Sequence, residues 1–219
     1  MPVCRRRRSA SKHDPATGGD GIPGARERAV AGANFAFDPG RATLRGMTTD
    51  RDFIPLTLCI LTVSDSRTLA DDSSGDTLAA ALADAGHVLA ERALLRDDRY
   101  ALRALVSRWI ADDAIDGVLV TGGTGFTGRD STPEALLPLL DKQMPGFGEL
   151  FRAISFDEIG TSSLQSRAFA GLANGTFVFA LPGSTSACRT AWDGIILAQL
   201  DARTRPCNLA TLRPRLKEA

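Results

Sequence analysis

The chain has 219 residues, of which 43% are hydrophobic, so it can bury the core of one globular domain. Its 26 Lys and Arg residues balance 26 Asp and Glu residues, but residues 53–219 hold 16 against 20, and this mildly acidic part argues against nucleic acid as the main partner. No apolar run approaches the ~18 residues of a membrane span. Four cysteines without a CxxC pair and only two histidines argue against structural zinc and favour a reducing, cytoplasmic location.

Residues 1–50 differ in composition from the rest of the chain. They contain a run of four arginines at 5–8, many Gly and Pro residues and little apolar periodicity, so we predict a disordered basic N-terminal extension. No apolar segment follows the arginines, which argues against a secretory signal. Three interpretations stay open: a solvated tail, an arm that binds polyanions weakly, or sequence upstream of the true start, with Met47 as a natural initiator.

Strands and helices alternate along the remainder of the chain. The predicted strands are the apolar runs 56–63, 87–95, 117–121 and 176–181. The predicted helices are 75–85, 99–112, 133–140, 147–156, 163–172 and 184–200. This alternation predicts an α/β fold with three layers, a doubly wound and mostly parallel sheet with helices on both faces.

The most informative segment is GVLVTGGTGFTGRDSTPE, residues 117–134. A buried strand runs into a turn with four glycines, and a helix begins after it. Glycine lets the backbone approach a ligand, and the N–H groups of a helix N-terminus attract anions. Asp130 adds a carboxylate that can hold Mg²⁺. The segment therefore predicts a ligand that carries phosphate.

Four loops follow predicted strands, and they are 64–75, 96–98, 122–131 and 182–186. In a parallel α/β sheet, ligands gather outside the carboxyl ends of the strands. We therefore expect these loops to form one pocket, in which main-chain donors face acidic side chains.

Seven motifs resemble the molybdenum cofactor biosynthesis MoaB/MogA family, and the last three resemble its MoaB branch. They are ILTVSDSR, DDSSG, TGGTGFTGRDSTPEAL, MPGFGELFR, SFDEIGTSSLQSRA, FALPGSTSACRTAW and QLDARTRPCN. The resemblance covers about Phe53 to Leu209, so it implies a molybdopterin-binding domain at 53–209 and a short tail at 210–219.

The resemblance also implies an activity. Active members adenylylate the terminal phosphate of molybdopterin, with ATP as co-substrate and Mg²⁺ as cofactor, and the product then accepts molybdate or tungstate. It further implies a homotrimer or a hexamer of two trimers, with other molybdenum cofactor biosynthesis proteins as further partners. Two alternatives stay open: a non-catalytic molybdopterin-binding or scaffold protein, and a nucleotide hydrolase with the same loop design.

The family's functional residues fall on specific positions here. The substrate-binding set that we expect is Ser64, Asp65, Thr121, Gly122, Gly123, Thr124, Gly125, Arg129, Gly183 and Ser184. Asp130 and Asp97 are the expected catalytic residues and metal ligands, with Asp98 one place away from the second assignment. Simpler roles compete, since either aspartate or Ser184 could cap a helix and the glycines could serve packing alone.

Overall fold

A computed structural model describes residues 51–216 of the chain, so the disorder predicted for 1–50 lies outside the described residues. Six strands form one sheet in the order β2-β1-β3-β6-β5-β4. They are β1 Thr57–Val63, β2 Val88–Leu95, β3 Gly117–Thr121, β4 Lys142–Gln143, β5 Phe169–Ala173 and β6 Thr176–Leu181. The four strands β2, β1, β3 and β6 are parallel, whereas β5 and β4 are antiparallel to their neighbours. The predicted mostly parallel sheet is confirmed.

Within the described residues, six α-helices connect or follow these strands. They are α1 Ser73–Asp84, α2 Arg99–Ile110, α3 Thr132–Leu136, α4 Pro145–Ile159, α5 Thr185–Ala191 and α6 Leu197–Leu200. Helices α3 and α4 continue into 3-10 turns at Leu137–Leu139 and Gly160–Gln165. A π-helical turn at Trp192–Ile196 joins α5 to α6, so the segment predicted as one long helix is helical throughout. No helix within residues 51–216 is long and apolar enough to cross a membrane.

The helices cover both faces of the sheet, as the alternating side chains of β1 illustrate. Leu58 and Ile60 pack in a core with side chains of α1, α4 and α5. Cys59, Leu61 and Val63 point the opposite way, into a second core with α2 and α3. Because successive side chains of a strand face opposite sides, a continuous apolar run such as β1 suits a strand that is buried on both faces. The three-layer architecture is confirmed.

The helix predicted over 163–172 is wrong. Residues up to Gln165 form the 3-10 turn after α4, and β5 follows in antiparallel pairing with β6. The turn between β5 and β6 contains Asn174 and Gly175, which both have positive φ, at 48° and 83°. Asn-Gly is the dipeptide that favours a tight hairpin turn of this type, because both central residues must adopt positive φ. This pair sets the hairpin, and the pairing of Phe169–Ala173 with β6 excludes a helix over these residues.

The described part of the predicted tail packs on the domain. Residues Ala210–Arg215 form a 3-10 helix, Ala210 is buried, and Leu216 packs against the core. Arg213 forms an ion pair with the buried carboxylate of Asp116, whose other oxygen accepts the main-chain N–H of Thr57 at 2.8 Å. The segment therefore contributes to the folded domain at the edge that carries the amino ends of β1 and β3.

Candidate functional site

Asp97 and Asp98 have different roles at the carboxyl end of β2. Asp98 is the N-cap of α2, and its carboxylate accepts the main-chain N–H groups of Tyr100 and Ala101 at 2.9 and 2.8 Å. Asp97 instead crosses to the loop after β3, where its carboxylate accepts the main-chain N–H of Ser131 at 3.1–3.2 Å and also the Ser131 hydroxyl. The capping role belongs to Asp98, so the side chain of Asp97 faces the site.

Packing requires glycine at two positions of the turn after β3. Gly122 has a φ of +106°, and a Cβ there would lie 2.1 Å from the carbonyl oxygen of Val63. Gly123 has a φ of +64°, and a Cβ there would lie 2.6 Å from Oδ2 of Asp97. The N–H of Gly122 donates to the Leu181 carbonyl at 3.0 Å and thus extends the sheet rather than facing a ligand. These glycines bring three strand ends together.

Asp130 closes the loop that follows these glycines. Its Oδ2 accepts both the main-chain N–H of Thr127, at 2.8 Å, and the Thr127 hydroxyl, at 2.6 Å. Burial alone would raise the pKa of Asp130, but the hydrogen bonds from Thr127 and Gly125 outweigh it and hold the pKa below its ordinary value. The N-cap of α3 is Ser131, so the interpretation of Asp130 as a helix cap is wrong.

An acidic cluster, consisting of Asp65, Asp97, Arg129 and Ser131, lies beside this loop. Asp65 pairs with Arg129 at 2.7 Å and accepts the main-chain N–H of Asp97 at 3.3 Å. The Arg129 guanidinium holds the pKa of Asp65 below its ordinary value, so this carboxylate stays ionised at neutral pH. The cluster joins the loops after β1, β2 and β3, as the parallel topology predicts.

A strand-end cavity of about 380 Å³ opens beside the glycine turn, and Asp65, Asp97 and Arg129 do not line it. Five predicted site residues line it, and they are Thr124, Gly125, Asp130, Gly183 and Ser184. The opposite wall comes from the end of α4, the 3-10 turn after it and α5, and its polar members are Ser155, Glu158, Ser162, Ser163, Gln165, Ser166, Ser186 and Thr190. Phe151, Ile159, Pro182 and Ala187 add apolar surface. Cavities of this volume with a few polar groups suit small organic ligands.

The remaining predicted site residues do not line this cavity. Thr121 is fully buried, and its hydroxyl donates to the Pro182 carbonyl at 2.9 Å, so it holds two loops together. The Ser64 hydroxyl accepts the main-chain N–H of Arg67 at 3.1 Å and thereby shapes the loop after β1. Ser184 has two roles. Its hydroxyl caps α5 by accepting the N–H of Ala187 at 3.2 Å, and the residue also lines the cavity.

Sequence reasoning missed the hydroxyl-rich wall. Four of its serines, Ser155, Ser162, Ser163 and Ser166, lie in the motif SFDEIGTSSLQSRA, where the density of serine was the available signal. Their approach to Ser184 depends on how α4 packs against α5, which the motif does not specify. No group of three or more His, Cys, Asp or Glu side chains within residues 51–216 is arranged to hold a metal ion.

A doubly wound sheet with a ligand-sized cavity at the carboxyl ends of its strands defines a class, the α/β proteins that bind small molecules at this edge. Residues 59–202 match the family described as "Probable molybdopterin binding domain". The match covers more than half of the chain, which therefore belongs to this family.

Individual relatives support the same assignment. The chain is 58% identical over 167 residues to Molybdenum cofactor biosynthesis protein B of Escherichia coli (strain K12), and the alignment covers 76% of this chain and 96% of the relative. A crystal structure of a Molybdenum cofactor biosynthesis protein B aligns with a TM-score of 0.69 and 37% identity, over 77% of this chain and 100% of the other. The tungsten cofactor synthesizing protein MoaB from Pyrococcus furiosus aligns with a TM-score of 0.58 and 34% identity, over 65% and 91%. The resemblance to the MoaB branch is confirmed.

Proposed function

We propose that this protein acts in molybdenum cofactor biosynthesis, where it binds molybdopterin in the strand-end cavity and adenylylates its terminal phosphate with ATP. The observation that carries the proposal is the position of Asp130. Asp130 lines the cavity, and the loop that it closes adjoins the acidic cluster around Asp97. One ligand can therefore contact the hydroxyl-rich wall while its phosphate lies near two carboxylates.

The cavity suits the pterin part of the ligand. A pterin has flat apolar faces and an edge of N–H donors and carbonyl or nitrogen acceptors. Phe151 and Pro182 offer apolar surface, whereas the serines of the wall offer hydroxyls that both donate and accept. Glu158 adds a carboxylate, which the Thr190 hydroxyl orients through a hydrogen bond of 2.8 Å. Such a carboxylate can accept two N–H groups of the heterocycle.

The phosphate of the ligand fits the start of α5 and the glycine turn. Ser184 and Thr124 place hydroxyls on this side of the cavity. The helix that begins at Thr185 continues to Leu200, so its N-terminus carries the partial positive charge that favours phosphate. Arg129, whose side chain is 70% exposed, can turn toward the triphosphate of ATP.

Asp130 and Asp97 are the proposed ligands of Mg²⁺. Magnesium is commonly held by one or two carboxylates together with water and substrate phosphates, so this pair fits the ion without a dedicated protein cage. Bound there, Mg²⁺ supplies neutralisation of the charge that develops on the phosphates. The residues around it bring the molybdopterin phosphate oxygen into line with the α-phosphorus of ATP, and pyrophosphate departs as the new P–O bond forms.

The test is an adenylylation assay with purified protein, molybdopterin, Mg²⁺ and ATP. We expect adenylylated molybdopterin and an equal amount of pyrophosphate. Asp130→Asn should abolish turnover and largely spare pterin binding, because the amide keeps the shape but loses the charge. Asp157→Asn is the matched control, since Asp157 is an exposed residue of α4 that does not line the cavity. Unchanged turnover in Asp130→Asn would remove this residue from the mechanism.

One observation favours the second candidate, a non-catalytic molybdopterin-binding protein. Within the protein, the carboxylates of Asp97 and Asp130 already accept hydrogen bonds from Ser131 and Thr127. Metal binding must compete with these bonds. Tight pterin binding without product or pyrophosphate would support the binding protein over the enzyme.

We also propose a homotrimer or a hexamer in the cytoplasm, together with other proteins of the same pathway. Apolar side chains around the end of α4 support self-association, because Phe156, Ile159 and Leu164 are 54%, 53% and 80% exposed in the single chain. Sedimentation equilibrium distinguishes the trimer from the hexamer, and a monomer at micromolar concentration would contradict both.

A further inference from the structure

Arg167 holds the loop of Asp130, although it belongs neither to the cavity lining nor to the acidic cluster. It lies between the 3-10 turn after α4 and strand β5. Its Nε donates to the Gly125 carbonyl at 2.7 Å, and its Nη2 donates to the Asp130 carbonyl at 2.8 Å. Its own main-chain N–H donates to the Thr124 carbonyl at 3.1 Å. One residue thus binds the loop at both ends.

This arrangement matters because the loop itself is permissive. Gly125 and Gly128 both lie within 125–130, and a Cβ added to Gly128 would meet nothing within 4 Å. Glycine gives a loop more accessible conformations than any other residue, so an external constraint has to fix it. A planar guanidinium with several donors in fixed directions is suited to bridging two carbonyl groups.

The guanidinium is itself held in place. Its Nη1 forms an ion pair with Glu134 in α3, and the Arg167 side chain is only 24% exposed. The pairing holds the pKa of Glu134 below its ordinary value. The main-chain carbonyl of Glu134 also accepts Nη2 of Arg103 at 2.7 Å, which attaches the pair to α2. The Arg167 guanidinium also lies over the ring of Phe126, a residue of the same loop, with its central carbon 5.3 Å from the ring centre.

We propose that Arg167 is a positioning residue that fixes the 125–130 loop and thereby sets where the Asp130 carboxylate lies in the strand-end cavity. The effect of Arg167 on the loop is independent of the proposed function, whereas its effect on catalysis rests on that function. Without the guanidinium, Asp130 keeps its hydrogen bonds to Thr127, but the loop as a whole is free to shift relative to Ser184 and the pterin wall.

The test compares Arg167→Gln and Arg167→Lys with Arg108→Gln. Arg108 is a matched control, because its Nη2 donates to the two carboxylate oxygens of Glu91, at 2.7 and 3.0 Å, and to no atom of the loop or of residues 166–168. Amide hydrogen exchange of the peptide covering 124–130 should accelerate about tenfold or more in Arg167→Gln, because bonds to a charged donor are lost. The exchange rate in Arg167→Lys should lie between those of the wild type and Arg167→Gln, and Arg108→Gln should match the wild type. If Arg167→Gln does not fold, the Lys variant carries the same comparison.

Kinetics provide a readout that a merely structural role would not change. In Arg167→Gln we expect kcat to fall about tenfold while the KM for molybdopterin stays within about twofold, with partial recovery in Arg167→Lys. Unchanged exchange in Arg167→Gln, or equal acceleration in Arg108→Gln, would overturn the proposed role of Arg167. If the wild-type protein forms no product, the proposed adenylylation fails, and the exchange experiment still decides the role of Arg167.

Discussion

The carboxylate of Asp97 accepts both the main-chain N–H and the hydroxyl of Ser131, a residue 34 positions further along the chain. This contact joins the end of β2 to the start of α3 across the turn at Gly123, where only a glycine leaves room for the Asp97 carboxylate. Its neighbour Asp98 has the ordinary role of capping α2. Two adjacent aspartates therefore have separate duties, one in the site and one in helix stability.

The two aspartates give a matched pair of variants. Asp97→Asn should lower turnover by about a hundredfold or more, because the charge proposed to hold Mg²⁺ is lost. Its free energy of unfolding should change by less than about 1 kcal/mol, since the amide oxygen still accepts from Ser131. Asp98→Asn should leave both properties nearly unchanged, because Asn is also a good N-cap. Steady-state kinetics and urea unfolding measure the two effects, and equal loss of activity in both variants would contradict the assignment.

The buried ion pair between Asp72 and Arg92 predicts a large loss of stability in one variant. The Asp72 side chain is fully buried and lies 2.8 Å from Nη2 of Arg92, while its Oδ2 also accepts the Thr62 hydroxyl at 2.7 Å. Arg92→Met should lower the free energy of unfolding by about 3–5 kcal/mol, because it leaves a buried carboxylate without its cation. The double variant with Asp72→Asn should recover part of this loss, and urea unfolding at neutral pH tests both.

The same pair has a defined pH dependence. Burial tends to raise the pKa of Asp72, but the hydrogen bonds from Arg92, Gly75 and Thr62 outweigh it and hold the pKa below the ordinary value of 3.8. A lowered folded pKa means that the stabilisation is present above the unfolded pKa and is lost as the pH falls through the folded one. Stability that stayed constant from pH 5 to pH 2 would contradict this account.

The sequence predicted a strand correctly where an unbroken apolar run was the dominant local pattern. Strands β1, β3 and β6 are unbroken apolar runs between polar loops, so their positions follow from the sequence, and their alternation with helices predicts that they are parallel. Strand β5 was missed because its small residues fit a helical pattern as well. The Asn174-Gly175 pair was the available signal for a strand, because it favours a two-residue hairpin turn between two strands.

The location of the site could be predicted from the sequence, but most of its side-chain contacts could not. Parallel strands bring their carboxyl ends to one edge, so the loops after β1, β2, β3 and β6 had to meet. The sequence could not decide whether Asp97 or Asp98 caps α2, because both precede the helix and only the tertiary position of Ser131 separates them. The role of Arg167 was hidden for the same reason, since its partners are main-chain carbonyls more than 35 residues away.

The cysteines predict a simple pattern of thiol reactivity. Cys59 and Cys188 are buried, and burial raises the pKa of each thiol to about 11, whereas Cys207 is exposed. Because the thiolate is the reactive form, the two buried thiols should not react at pH 8 in the native protein. In the Cys4→Ser variant, a chromogenic disulfide reagent should therefore titrate one thiol natively and three in denaturant. Adding Cys207→Ser should remove the native reaction, and a remaining fast thiol would contradict the burial of the other two.

His87 predicts a second pH dependence, in a range where carboxylates such as Asp72 remain ionised. Its ring is buried between Phe53 and Trp192, and its Nδ1 accepts the main-chain N–H of Leu56 at 3.1 Å. Its Nε2 has no hydrogen-bond partner among residues 51–216. Burial lowers its pKa below the ordinary 6.5, against the opposing pull of Asp201 and Asp116. A proton on Nδ1 would also break the bond to Leu56, so the folded protein favours the neutral ring.

The unfolded chain therefore binds a proton at His87 more readily than the folded protein does. The free energy of unfolding should fall as the pH decreases through 6.5 toward 5. His87→Asn should flatten this dependence, because its amide oxygen can accept from Leu56 without titrating. The only other histidine is His13, which lies outside residues 51–216 and is replaced by Asn in a control variant. Urea unfolding at pH 5, 6 and 7 measures the wild type and the two variants. If the pH dependence of the unfolding free energy persists in His87→Asn but vanishes in His13→Asn, the assignment to His87 is contradicted.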